Sequence, residues 1–299
     1  MEVTPRPIDA QRDLPAVADL LGRARASGTG IWHPGGIQWW LRELAGGRDD
    51  FEAFVWPADD ASDGLAGFMM RDGAYVIAES DGEPTRAEIV DWATHHLREA
   101  GATEVQTSAD EGSPLHTELL ERGFVQGDMG FELMIDTAEE PPQPVLPYGF
   151  QWASLRDISD ETFIEGHRAA WSDKRPSPYN RLRHEAVKAA PQFRPDLVTI
   201  ALTRDGTVAS YCIGWLDPIT RTLEIEPLGT HRDYRRLHLA TAVVHEVIHR
   251  AWDSGAKDVL VWNEPKSNPS AYGLYTGAGM RPRRRIADLT RSLGGDNRT

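Results

Sequence analysis

Apolar and polar positions along this chain change period in the same order twice. In "DLPAVADLLGRARA" and "GGIQWWLREL" the apolar residues recur at helical spacing. "FEAFVWPADDASDGLAGFMMRDGAYVIAES" follows as a strand meander. Then "PTRAEIVDWATHHLREAG" predicts a helix, "TEVQTSA" a strand, "SPLHTELLERGF" a short helix and "FELMID" a closing strand. The second series opens with the amphipathic "RDISDETFIEGHRAAW" and a second helix around Arg181–Ala189. "LVTIALTRDGTVASYCIGWLD" predicts two strands joined by an Asp-Gly turn, and "RTLEIEPLGTH" a further strand. A helix from about Leu239 to Trp252, the β-branched strand "KDVLVWNE", the short helix "NPSAYGLYTGAGM" and a final strand complete it. The endings "LLERGF" and "LYTGAGM" occupy the same place in the two series. One α/β unit, an antiparallel meander followed by helix–strand–helix–strand, is used twice.

The proline-rich, acidic "TAEEPPQPVLP" separates the copies, because proline removes backbone donors and fixes φ. The expected division is 1–138, a linker at 139–147, and 148–299. With 299 residues there is enough chain for two modest domains. The single cysteine, Cys212, excludes an internal disulfide, fits a reducing cytoplasm, and lies in a strand-like run as a small buried hydrophobe. No apolar run is long enough to span a bilayer, and the N-terminus lacks the pattern of a secretory signal, so the expectation is a cytoplasmic protein with no membrane partner. A net charge of −14 argues against nucleic acid as a partner. It suits a cationic amine through long-range steering, or serves solubility alone.

The chemistry concentrates in "HRDYRRLHLATAVVHEVIHRAW", His231 to Trp252. Its "HEVIH" fits the zinc-hydrolase pattern H-E-x-x-H. At about 100° per residue, however, Val243, Val244, Val247, Ile248 and Ala251 share one side of the helix, and His245 and His249 fall on the other. The histidines are therefore expected in solvent, and no metal is expected. The start of the same helix has a different use. Free N–H groups and the positive end of the helix dipole attract phosphate, and Arg232, Arg235 and Arg236 add charge.

With that turn, the C-terminal half resembles the GNAT family of N-acetyltransferases. The residues that carry the resemblance are "EPLGTHRDYRRLHLATAV" and "NPSAYGLYTGAGM". The family turn Gln/Arg-x-x-Gly-x-Gly/Ala falls on Arg235-Arg236-Leu237-His238-Leu239-Ala240. The family's second motif falls on Asn268, Leu274-Tyr275 and Gly279-Met280. The resemblance implies an α/β (α+β) fold of two tandem acyl-CoA N-acyltransferase-like (GNAT) domains, each a mixed, mostly antiparallel sheet flanked by helices. It implies acetyl-CoA as co-substrate, with Arg235 to Thr241 at its pyrophosphate. Leu228, Gly229 and Thr230 would face the thioester, Asn268 would cap the short helix or bond the pantetheine arm, and Ala271 would border the coenzyme. Tyr275 would lie near its sulfur as the general acid, or pack as a core aromatic. The departure is His238, where the family has glycine. Either His238 donates to phosphate, or it weakens coenzyme binding, or it marks a domain that has lost activity.

For a general base, Glu224 and Glu226 alternate on "LEIEPLG", so period two puts both on one face of the strand. Glu226, closer to the turn, is preferred over Glu224, with His231 weaker; the alternative is an exposed edge carrying acids. In the N-terminal half the corresponding helix starts in the acidic "ESDGEPTRAE", and Leu119 and Gly112 stand where Tyr275 and Asn268 stand in the other copy. That half is read as a copy that does not bind acetyl-CoA. Trp32, His33, Trp39 and Trp40 either line an acceptor pocket or pack the core, with the core favoured. The expected activity is acetyl transfer to the primary amine of a small molecule by direct attack, from a monomer or homodimer. A non-catalytic coenzyme- or small-molecule-binding module is the alternative, and a zinc hydrolase the third reading.

Overall fold

The structure is a computed structural model; it describes residues 4–58, 64–173 and 175–294. Residues 59–63 of the expected meander and Lys174 of the "AAWSDKRPSPYN" loop lie outside the described residues. The first half runs β1 (Arg6–Pro7), α1 (Ala10–Ala26), α2 (Pro34–Leu41), β2 (Phe51–Pro57), β3 (Leu65–Asp72), β4 (Tyr75–Ser80), α3 (Arg86–Glu99), β5 (Glu104–Asp110), α4 (Pro114–Glu121) and β6 (Val125–Asp136). The second runs β7 (Phe150–Ala153), α5 (Asp160–Trp171), α6 (Arg181–Lys188), β8 (Val198–Thr203), β9 (Val208–Leu216), β10 (Thr222–Thr230), α7 (Leu239–Asp253), β11 (Asp258–Asn263), α8 (Pro269–Gly277) and β12 (Arg281–Ser292). The repeated unit is there, element for element. Only β1 and β7, four residues or fewer, escape the hydrophobic pattern.

The strands form one sheet in the order β1-β2-β3-β4-β5-β12-β6-β11-β10-β9-β8-β7. Neighbours are antiparallel except β4–β5 and β10–β11. Each half was expected to close its own sheet; instead the halves exchange their closing strands. β6 pairs with β11 from Asp258↔Asp136 to Asn263↔Phe131. β12 pairs with β5 from Ile286↔Asp110 to Ser292↔Glu104. The core shows why the exchange holds. Leu133 of β6 is fully buried among Val243, Val247 and Val259 of the second half, and Leu289 of β12 among Ile89, Leu97 and Val105 of the first. Apolar burial contributes about 25 cal/mol per Å² wherever the strand comes from, so composition cannot say whose core a strand fills.

The buried face of α7 carries Val243, Val244, Val247, Ile248 and Ala251, as its periodicity predicts. Glu246 of the H-E-x-x-H pattern pairs with Arg250 at 2.7 Å, and His249 contacts Gln143 and Asp253. Among the described residues no three His, Cys, Asp or Glu side chains converge as a metal-binding group. Among them, too, no helix is long and apolar enough to cross a membrane. Cys212 is fully buried, and burial raises its thiol pKa well above the usual value.

Candidate active site

β10 and β11 run side by side only over Thr222–Glu224 against Asp258–Leu260. Beyond that point they part, and β10 also breaks register with β9 between Ile225 and Leu228. The opening is a groove of about 1040 Å³, walled by Ile225 to Thr230 on one side and Val261, Trp262 and Asn263 on the other. Leu228, Gly229, Thr230, Arg235, Arg236, His238, Leu239, Ala240, Thr241, Asn268, Ala271 and Tyr275 all line it. Leu237, expected there as well, is outside the lining and 44% exposed.

The groove ends at the start of α7. Arg236 and His238 have φ of 61° and 60°, the left-handed region that glycine enters without cost. The turn therefore keeps the glycine-type backbone although the residue is histidine, a type several-fold enriched there. His238 makes no side-chain cap, so the first amides of α7 are left without a capping side chain. At the matching α3, Thr85 and Glu88 form a reciprocal capping box, and Glu88 adds a negative charge. One helix start invites an anion and the other is closed to it. Arg236 is exposed and has no carboxylate partner among the described residues. Arg235 is spent on structure: it reaches Asp173 at 2.5 Å, the Ala170 carbonyl and the Thr230 carbonyl.

Tyr275 is 6% exposed in the wall of the groove, and burial raises its phenol pKa, so it stays protonated. Asn268 caps α8 through the Ala271 amide at 3.2 Å. Nearby Asn263, missed by sequence reasoning, has a buried Oδ1 without a partner in the same wall. An open anion-binding helix start at one end, an orphaned amide oxygen and a buried phenol along the wall fit a long phosphorylated thioester such as acetyl-CoA.

The two acids of β10 separate in role. Glu224 accepts the Gly36 amide at 2.6 Å, lies 3.2 Å from His33 Nδ1, and borders neither cavity of the site. It holds the start of α2 against β10. Gly35 permits this approach, since a Cβ there would lie 2.1 Å from Trp215. Glu226 lies in the groove, and removal from water, with the Glu224 charge second, pushes its carboxyl up to about 8. Trp215 Nε1 donates to the Glu226 backbone carbonyl at 2.6 Å.

Glu226 and Pro227 also border a second cavity of about 320 Å³. The N-terminal half supplies Trp39, Trp40, Arg42, Glu43, Arg48, Phe51 and Asp72 to it, and the C-terminal half His167, Trp171 and Arg175. Trp39 and Trp40 thus line a pocket and pack the core at once, whereas Trp32 stacks on Trp262 at 4.9 Å and His33 bonds the Thr222 carbonyl. Arg42 and Trp171 carry no local signal that would have joined them to Glu226, more than fifty residues away.

Residues 152–280 match the family described as "Acetyltransferase (GNAT) family". The search of curated proteins finds no match. Among solved structures, the chain resembles a tandem GNAT protein from the clavulanic acid biosynthesis pathway, at TM-score 0.61 and 15% identity over 98% of this chain and 99% of that one. It resembles a GCN5-related N-acetyltransferase from Sphaerobacter thermophilus at TM-score 0.59 and 19% identity, over 97% and 95%. It also resembles a GNAT-family acetyltransferase from Colwellia psychrerythraea at TM-score 0.55 and 12% identity, over 96% and 99%. At such identities these likenesses concern the fold. Together, the motif turn, the parted strands and the family match make the C-terminal half a GNAT acetyltransferase domain, set within a tandem GNAT fold.

Proposed function

We propose that the chain transfers an acetyl group from acetyl-CoA to the primary amine of a small molecule, with catalysis in the C-terminal half. The observation that carries this reading is the meeting of the two cavities at Glu226: a long groove with an anion-binding end reaches one side, and a small aromatic pocket the other. Acetyl-CoA, when bound, supplies an acetyl group activated as a thioester. The α7 amides and Arg236 hold its phosphates. Beyond Glu224, β10 has no paired neighbour on its β11 side, which leaves backbone N–H groups around Leu228–Thr230 to receive the carbonyl oxygen as charge develops. Glu226 takes the first proton from the substrate ammonium. The freed amine nitrogen bonds to the acetyl carbon, and the carbon–sulfur bond breaks with its electron pair staying on sulfur. Tyr275, neutral across the working range, relays the second amine proton to that sulfur.

The test is calorimetric titration with acetyl-CoA, followed by a thiol-release assay over a panel of amines. One equivalent bound, and thiol release with at least one amine, supports the reading. Binding without release for any amine favours a non-catalytic binding module. No binding overturns both.

A further inference from the structure

We infer that the acceptor carries a carboxylate as well as its amine, and that Arg42 reads it. The inference rests on the acetyltransferase reading above and adds the substrate class. The small cavity is lined by charged groups of both signs, but its acids other than Glu226 are already matched. Glu43 accepts both Nε and Nη2 of Arg183 at 3.0 Å. Asp72 accepts Arg48 at 2.6 Å. Two cations remain. Arg175, at the seam with the coenzyme groove, has no carboxylate partner among the described residues. Arg42 belongs to the small cavity alone.

Arg42 is held flat, with its guanidinium carbon 3.7 Å from the Trp39 ring centroid and Nη1 donating to the Trp39 carbonyl. Among the described residues its carboxylate contact is Nη2 to Glu43 at 3.4 Å, on an acid that Arg183 already occupies. Its Nε is buried with no acceptor. A guanidinium kept this far from water is costly unless an anion faces it, and its planar fork matches a carboxylate. The tryptophans that wall the cavity take an apolar or planar body between the two charges. A volume of about 320 Å³ is at the small end for ligand pockets and suits a free amino acid rather than a protein segment. Glu226, shared with the groove, receives the ammonium, and Arg42, which lines the small cavity alone, receives the carboxylate. The acceptor class is therefore a small aminocarboxylate with an apolar or aromatic body.

The experiment compares matched pairs: α-, β- and ω-amino acids against the same amines lacking the carboxylate. Thiol release is measured with wild type, Arg42→Gln and Arg42→Lys, together with binding of each compound to the protein saturated with CoA. The expected result is that kcat/KM falls at least about tenfold on losing the carboxylate, as for a charge-assisted hydrogen bond. Arg42→Gln should remove that preference by slowing the acids more than the amines, which feel only the loss of the Arg42 charge near Glu226, so the acid-to-amine ratio is the readout. Arg42→Lys, which keeps charge but not the fork, should restore part of it. Melting temperatures close to wild type show that the variants fold. If Arg42→Gln does not fold, Arg42→Lys and the wild-type pairs carry the decision. Turnover of amines without regard to the carboxylate overturns the inference and leaves the acetyltransferase reading standing. Carboxylate-dependent binding without turnover supports the inference and overturns that reading. No binding and no turnover of any aminocarboxylate overturns the inference.

Discussion

The Gly36 amide donates to Glu224 at 2.6 Å, and this contact between the halves holds α2 against β10 beside the proposed acceptor pocket. Glu224 belongs to β10 and Gly36 to α2, which carries Trp39 and Trp40 and leads to Arg42. Two residues further along β10, Glu226 meets those side chains. A carboxylate that does no chemistry thus positions one that does in the proposed mechanism.

Glu224→Ala leaves the Gly36 amide without its acceptor, at a cost of about 1–3 kcal/mol. The expected outcome is a lower Tm, a higher KM for the amine, and a pH inflection moved downward, because the Glu224 charge that helps raise the Glu226 carboxyl is gone. Glu224→Gln, which keeps an acceptor oxygen but not the charge, should lie close to wild type in Tm and KM and share the lowered inflection. Steady-state kinetics with thermal denaturation checks both.

Glu226→Gln removes the base. Wild-type kcat/KM should rise up to about pH 8 and level off, because the carboxyl must ionise before it can accept a proton. The variant should lose about 10²- to 10⁴-fold, the usual contribution of a general base. The loss should be largest at and below pH 8, and shrink above it as free amine appears in solution. A pH–rate profile of both proteins decides; a variant that keeps the inflection removes Glu226 from the role.

The same carboxyl makes a stability prediction of definite sign. Its folded pKa, about 8, lies above the usual 4.5, so between those values the native state holds a proton that the unfolded state has released. Stability therefore falls as pH rises through that window, and is fully retained below it. Glu226→Gln should flatten this slope, seen in urea unfolding at pH 5 and pH 8.5. A slope unchanged by the substitution would mean that Glu226 titrates normally.

Tyr275→Phe should leave acetyl-CoA affinity unchanged and lower kcat by about 10²-fold or more, since only the proton relay is lost. Unchanged kcat would assign Tyr275 to packing alone.

His238→Gly tests the turn. A non-glycine residue in the left-handed region costs about 1–2 kcal/mol, and glycine returns about 0.5–1 of that as backbone entropy. The variant should be as stable as wild type or up to about 1 kcal/mol more so. Its Kd for acetyl-CoA should change by less than about tenfold, or 1.4 kcal/mol, because the backbone already has the glycine conformation. Tighter binding by a hundredfold would mean that the imidazole obstructs the groove.

The sequence by itself determined what is local. Helical and strand periods placed the elements of both copies, the Val243–Ala251 stripe set which face of α7 is buried, and the run from Arg235 to Thr241 marked the turn that opens α7 at the end of the groove. These depend on residues within a few positions of one another, whose geometry the backbone dictates. Tertiary structure alone decided which closing strand completes which half, since both β6 and β12 carry apolar side chains that either core could bury. It also separated Glu224 from Glu226, which share a face but meet different partners, and brought Arg42, Trp40 and Trp171 to the second cavity. Those outcomes depend on how one half packs across the other, and no period along the chain encodes a contact between residues nearly two hundred positions apart.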